Sequence, residues 1–145
     1  MAYWNTQWTD ADVSLLQVVR GETAGQARLQ AFTLLVALAT WRVTFTEAQG
    51  NLAVLGDALG VLHDVVKLKA RDRILNAVAG EMALVLAPIS LDIRAAHLWT
   101  QRNAVCDALS RLAAGQEHDL PALKGAIRVR SVRPKCDVLR SLEGS

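Results

Sequence analysis

The chain has 145 residues, of which 52% are hydrophobic and 21% are charged, and its formal net charge is +2. This balance excludes an intrinsically disordered chain, and the length suits one domain that buries most of its surface. The longest apolar run, 31–41, is too short to cross a bilayer and favours a core helix. No membrane partner is therefore expected.

The start of the chain and its cysteines indicate a compartment. The first residues have neither a basic start nor an apolar segment, so the sequence predicts no signal peptide. The two cysteines, Cys106 and Cys136, are too few for a disulfide framework or a metal knuckle. We therefore expect reduced thiols in an intracellular protein, either cytoplasmic or nuclear.

The first third of the chain predicts a strand and two helices. The aromatic segment AYWNTQW favours a short strand. Thr9 or Asp10 can cap a short helix, because their side-chain oxygens accept the free amides of a first turn, and Gly21 is expected to end it. A long helix is predicted over 23–41. Its apolar stripe is so wide that the helix should be largely buried.

The middle of the chain predicts alternating strands and helices. A turn over 49–51 precedes a short apolar strand over 52–56, which is typical of the centre of a sheet. Helices are predicted over 58–68 and from Asp72 or Asn76 to about Leu86. Residues 90–97 alternate apolar and polar side chains, which indicates a strand.

This order predicts an α/β fold with a largely parallel sheet. The chemistry of such folds lies at the carboxyl ends of the strands. Asp57 follows one predicted strand, His97 ends another, and Asp107 lies in a last helix that begins at Asn103. Each of these residues alone is more often a cap, a turn residue or a solvated side chain than part of a site. Their common position singles them out.

Three segments resemble one family, the ribonuclease H domains of retrotransposon (LTR-type) reverse transcriptases. LLVALATW resembles the family's long helix, and LAVLGDALGVL resembles the strand that ends in a catalytic aspartate. HLWTQRNAVCDALSRL resembles the family pattern H-x-P-G-x-x-N-x-x-A-D-A-L-S-R, which makes it the most specific segment. It departs where Trp99 and Thr100 replace Pro-Gly and where Cys106 replaces Ala. The resemblance covers roughly residues 3–112.

The resemblance implies a ribonuclease H-like mixed sheet flanked by helices, and hydrolysis of RNA in RNA–DNA hybrids by two Mg²⁺ ions held by four carboxylates. Asp57 matches the third carboxylate and Asp107 the fourth, so these two are the implied metal ligands. His97 matches a histidine that assists proton transfer or product release. Asn103 and Ser110 match positions that bind the substrate.

The implied carboxylate set is incomplete. Gln30 stands where the long helix of the family carries a glutamate, and an uncharged amide bridges divalent ions poorly. The family's first carboxylate lies in a D-x-S-x-x-G-x-G hairpin ahead of the YWNTQW strand, so the fold is expected to lack its first strands. We expect an inactive remnant of a reverse-transcriptase polyprotein. The alternative is a non-catalytic module that binds nucleic acid or a partner protein.

The C-terminal part of the chain carries the basic excess. Residues 124–145 hold six cations and two anions, a balance of 6 − 2 = +4, which leaves −2 for the remainder. Such a segment is either a solvated linker or a contact for phosphates, and the absence of aromatic residues favours the linker. The sequence therefore predicts a domain over 1–114 and a basic tail over 115–145 that adds little to the core.

Overall fold

Helices and short strands alternate along this mixed α/β chain. The computed structural model describes residues 2–4, 7–19, 21–47, 50–56, 72–89, 91–97 and 127–142. The elements in chain order are β1 (Ala2–Tyr3), α1 (Asp10–Leu15), α2 (Thr23–Thr40), α3 (Arg42–Glu47), β2 (Gly50–Gly56), α4 (Arg73–Leu86), β3 (Leu91–His97), β4 (Ile127–Arg128) and α5 (Asp137–Arg140).

The strands form two parallel pairs, β1 with β4 and β2 with β3. In the longer pair Gly50 lies opposite Leu91 and Gly56 opposite His97, so the two strands are in register from end to end. Parallel neighbours require a crossover connection, and α4 belongs to the one between β2 and β3. The predicted parallel pairing is thus confirmed for these two strands.

The two predicted helix starts are confirmed by their caps. The side chain of Thr9 accepts from the amide of Asp12 at 3.2 Å, and Asp12 accepts from the amide of Thr9 at 2.8 Å, which is a capping box. Asp72 caps α4 through the amides of Ile74 and Leu75. The prediction that Gly21 ends the first helix is wrong, since α1 stops at Leu15 and the chain then turns.

The core lies between α2 and α4, which pack on one another. The prediction that the long helix is largely buried is confirmed, because its apolar side chains cover more than one face. Leu52 and Val54 of β2 and Ile93 of β3 pack against this core. The fully or nearly fully buried residues of α2 are Ala31, Phe32, Leu34, Leu35, Val36 and Leu38.

The C-terminal segment corrects the prediction that residues after about Gly115 add little to the core. Cys136 and Leu139 are buried, with exposures of 2% and 0%, and α5 packs on α4. β4 also pairs with β1. The segment combines exposed cations with inward apolar side chains, so its overall composition hides its packing. Residues 127–142 therefore belong to the folded body.

Several further predictions differ from the structure or lie outside its described part. The aromatic start forms a strand only at Ala2–Tyr3, and α3 was not predicted. The predicted turn over 49–51 overlaps β2, which begins at Gly50 with a φ of 107°. The helices predicted over 58–68 and from Asn103 fall outside the described residues. No helix among those described is both long and apolar enough to cross a membrane.

Candidate functional site

The structure describes two of the six residues that the resemblance singled out. Gln30 lies in the first half of α2, and His97 is the last residue of β3. The other four lie outside the described residues: Asp57, Asn103, Asp107 and Ser110.

The end of the β2–β3 pair is the best defined part of the candidate site. Gly56 and His97 are register partners, and each is the last residue of its strand. Because the strands are parallel, both carboxyl ends lie at the same edge. Asp57 is the residue that follows Gly56 in the sequence. This edge is where α/β folds bind their ligands.

Gln30 is half-buried beside the core. Its neighbour Ala31 is fully buried, and Leu34, one turn further along α2, is 8% exposed. The Gln30 side chain offers one carbonyl oxygen and no negative charge. Across the ranges that the structure describes, no three or more His, Cys, Asp or Glu side chains are grouped to hold a metal ion.

A second polar cluster joins three helices, and the sequence did not reveal it. Arg28 of α2 donates to Asp72 from Nη2 at 2.9 Å and from Nε at 3.2 and 3.3 Å. Its Nη1 donates to the carbonyl oxygens of Gln17 at 2.7 Å and Leu16 at 3.3 Å, just after α1. Arg28 therefore ties the end of α1 to the start of α4.

The electrostatics of Asp72 follow from this cluster. Partial burial raises the pKa of Asp72, but hydrogen bonds from Arg28 and from the amides of Leu75 and Ile74, with the charge of Arg28, outweigh burial and lower it below 3.8. The prediction that Asp72 opens a helix is confirmed. The accompanying view of it as a merely solvated residue is wrong, because its side chain is 23% exposed and paired.

Arg133 anchors the C-terminal segment to α1. Its guanidinium forms an ion pair with Asp12, whose side chain is 8% exposed, and donates to the Gln7 carbonyl at 3.3 Å. The guanidinium carbon also lies 5.8 Å from the centre of the Trp8 ring, within the range of a cation–π contact. The capping role predicted for Asp12 is confirmed, and the buried ion pair is additional.

Glu81 anchors the same segment to α4. It is 5% exposed, and its Oε1 accepts from the amides of Val138 at 2.5 Å and Leu139 at 3.3 Å. One sequence signal could have revealed it, since Glu81 is the only charge in the apolar run AVAGEMALVL. A lone carboxylate on an apolar helix needs a buried partner.

Comparisons with known proteins give no relative for this chain: no family model, no curated protein and no solved structure matches it.

Proposed function

We propose that this chain is a ribonuclease H-like domain of the retrotransposon reverse-transcriptase type, a remnant of an enzyme that hydrolysed RNA in RNA–DNA hybrids. Its site would consist of Asp57, Asp107 and His97, with Gln30 at the position of the lost glutamate. Asn103 and Ser110 would contact the substrate. Recognition of such a hybrid would rest mainly on backbone shape and 2′-hydroxyl groups.

One observation carries the proposal. β2 and β3 are parallel register partners whose last residues are Gly56 and His97. The proposed family needs an aspartate directly after one central strand and a histidine at the end of its neighbour, and this sequence supplies Asp57 and His97 there. The long buried helix α2, which precedes both strands in the chain, is also consistent with it.

The residues do not fit a complete two-magnesium site. Two Mg²⁺ ions bring four positive charges, and Mg²⁺ prefers charged oxygen ligands. Of the four positions, Asp57 and Asp107 supply carboxylates, Gln30 supplies a neutral amide, and the fourth carboxylate has no match in the chain. One metal ion could be held weakly by Asp57 and Asp107, and we derive no catalytic step through a second.

A second candidate function is a non-catalytic module that keeps the fold in order to bind nucleic acid or a partner protein. Gln30 favours it, because a neutral side chain on α2 removes charge repulsion near a bound phosphate as well as a metal ligand. The two candidates differ in one respect. A remnant should regain metal affinity when the glutamate is restored, whereas a remodelled binding module should not.

The test measures metal binding by NMR with Mn²⁺, which prefers the same oxygen ligands as Mg²⁺. We expect Mn²⁺ to broaden the amide signals of Gly56 and His97 first, and Asp57→Asn to abolish this broadening. Gln30→Glu should tighten Mn²⁺ binding by about tenfold, since an added charge within a few ångströms of the ion is worth at least that factor.

Gln26→Glu is the matched control, because Gln26 is exposed on α2 one turn before Gln30 and the change adds the same charge. If Gln26→Glu strengthens Mn²⁺ binding as much as Gln30→Glu, or if the broadening is centred away from Gly56 and His97, the proposed site is wrong.

A hybrid-cleavage assay tests activity separately. We expect no detectable Mg²⁺-dependent cleavage of an RNA–DNA hybrid by the purified chain, because the clamp on attacking and leaving oxygens needs both ions. Cleavage that disappears in Asp57→Asn would contradict this expectation. It would mean that other carboxylates complete the site.

A further inference from the structure

The C-terminal segment presents a row of cations that its anchoring does not use. Arg133 faces Asp12, but four other cations of the segment are exposed, and Asp137 is the one acidic residue within 127–142. We call these four exposed cations the basic ridge: Arg128, Arg130, Lys135 and Arg140.

The ridge is held in place by contacts to three helices. The Val132 amide donates to Thr40 at the end of α2 at 2.9 Å, Arg133 pairs with Asp12 of α1, and Glu81 of α4 accepts from the Val138 amide. Leu139, at 0% exposure, fixes the far end in the core. Because folding has already ordered the backbone that carries the cations, a partner loses less free energy in ordering them.

The composition of the ridge selects the chemistry of the partner. Three of its four cations are arginines, whose planar forks bind phosphate oxygens through two parallel hydrogen bonds. The segment 127–142 has no aromatic residue that could stack on bases, so its contacts would not read sequence. Its helix, α5, has four residues, which is too short for an amphipathic helix that lies on a membrane.

We infer that the basic ridge binds the phosphate backbone of double-stranded nucleic acid without regard to sequence. The charge distribution supports this, since residues 124–145 carry +4 while the rest of the chain carries −2. Counterion release from the duplex would drive the association. The ridge shares the class of partner with the proposed ribonuclease H-like site but none of its residues, and it requires no metal.

The experiment measures binding of the full chain to a fluorescent DNA duplex of random sequence, in EDTA, over a series of salt concentrations. Four phosphate contacts predict a slope of log K against log[salt] of about −3.6. A triple variant of the ridge should reduce the size of this slope by about three and weaken binding at low salt at least about tenfold. Its changes are Arg128→Gln, Arg130→Gln and Lys135→Gln.

The matched control removes the same number of exposed cations from α3, α4 and β3. Both triple variants change the net charge from +2 to 2 − 3 = −1. The control should keep the wild-type slope and bind within about threefold of the wild type. Circular dichroism checks that both variants fold. The control changes are Arg42→Gln, Arg73→Gln and Arg94→Gln.

Three results would overturn the inference. The first is an equal loss of binding in both triple variants, which would make the effect one of net charge alone. The second is a wild-type chain that does not bind the duplex at low salt. The third is binding to phosphatidylserine vesicles, lost in the ridge variant, without binding to the duplex. Since the assay contains no metal, it can fail while the Mn²⁺ test succeeds, and the reverse.

Discussion

The carboxylate of Glu81 on α4 accepts a 2.5 Å hydrogen bond from the amide of Val138 on α5. The helix α5 has no cap of its own, since its N-cap residue is Cys136, whose side chain makes no capping hydrogen bond. Glu81 performs this function from 57 residues earlier in the chain. The orphan amides of a helix start are thus satisfied across two elements rather than locally.

We expect Glu81→Ala to lower the free energy of unfolding by about 2–3 kcal/mol, because it leaves the amides of Val138 and Leu139 without their acceptor in a largely buried place. Glu81→Gln keeps an acceptor oxygen and should cost about 1 kcal/mol. Urea denaturation measures both values. Glu47→Ala, at an exposed position of α3, is the control, and equal losses for the two alanine variants would show that the Glu81 contact is not stabilising.

Leu139 tests whether the C-terminal segment is part of the core. Leu139→Ala should lower the free energy of unfolding by about 3 kcal/mol, since the side chain is fully buried and its loss leaves a cavity. Val138→Ala, at a position that is 37% exposed, should cost less than about 1 kcal/mol. A loss below about 1 kcal/mol for Leu139→Ala would return this segment to the status of a peripheral tail.

The pair Arg28–Asp72 should make stability depend on pH in the acid range. The pKa of Asp72 is lower in the folded protein than its ordinary value of 3.8. Its contribution is therefore fully present above about pH 5 and is lost as the pH falls through 3.8 toward the folded pKa. Asn can still cap a helix, so Asp72→Asn removes mainly the charge.

A double-mutant cycle isolates this pair. The coupling between Asp72→Asn and Arg28→Gln, obtained from urea denaturation at pH 7, should be favourable and should shrink when the measurement is repeated near pH 3. A coupling that is the same at both pH values would mean that the charge of Asp72 does not contribute.

The Cys136 thiol should react slowly in the native protein. Burial first, and then the negative charge of Glu81, raise the pKa of Cys136 from 9.0 to about 11, against an opposing effect of Arg140. The thiolate is then about a hundredfold scarcer at pH 8 than for a thiol of pKa 9. The folded state accordingly keeps its full stability below pH 9 and loses part of it as the pH rises from 9 toward 11.

Iodoacetamide labelling at pH 8 measures this protection, in a Cys106→Ser background so that one thiol is followed. Labelling should be at least about a hundredfold slower in the native protein than in guanidinium, and faster in Glu81→Ala, where α5 is less firmly held. Equal rates in native and unfolded protein would contradict the burial of Cys136.

The local elements could be predicted from the sequence because their causes are local. Thr9 and Asp72 cap helices through amides within three residues of themselves, and the apolar stripe of α2 is a periodic pattern. The alternation over 90–97 likewise gave β3 within one residue. The resemblance that named Asp57 and Asp107 also rests on short-range spacing, so it remains a prediction about residues outside the described part of the chain.

The long-range contacts were decided only by the tertiary structure. Arg28 meets Asp72 across 44 residues, Glu81 meets Val138 across 57, and Arg133 meets Asp12 across 121. No periodicity records such pairs, because each depends on which faces of two helices come together in the core. The same reason explains why the composition of the C-terminal segment suggested a free basic tail. Its cations lie at the surface, while Cys136 and Leu139 find their place only once α4 is there to cover them.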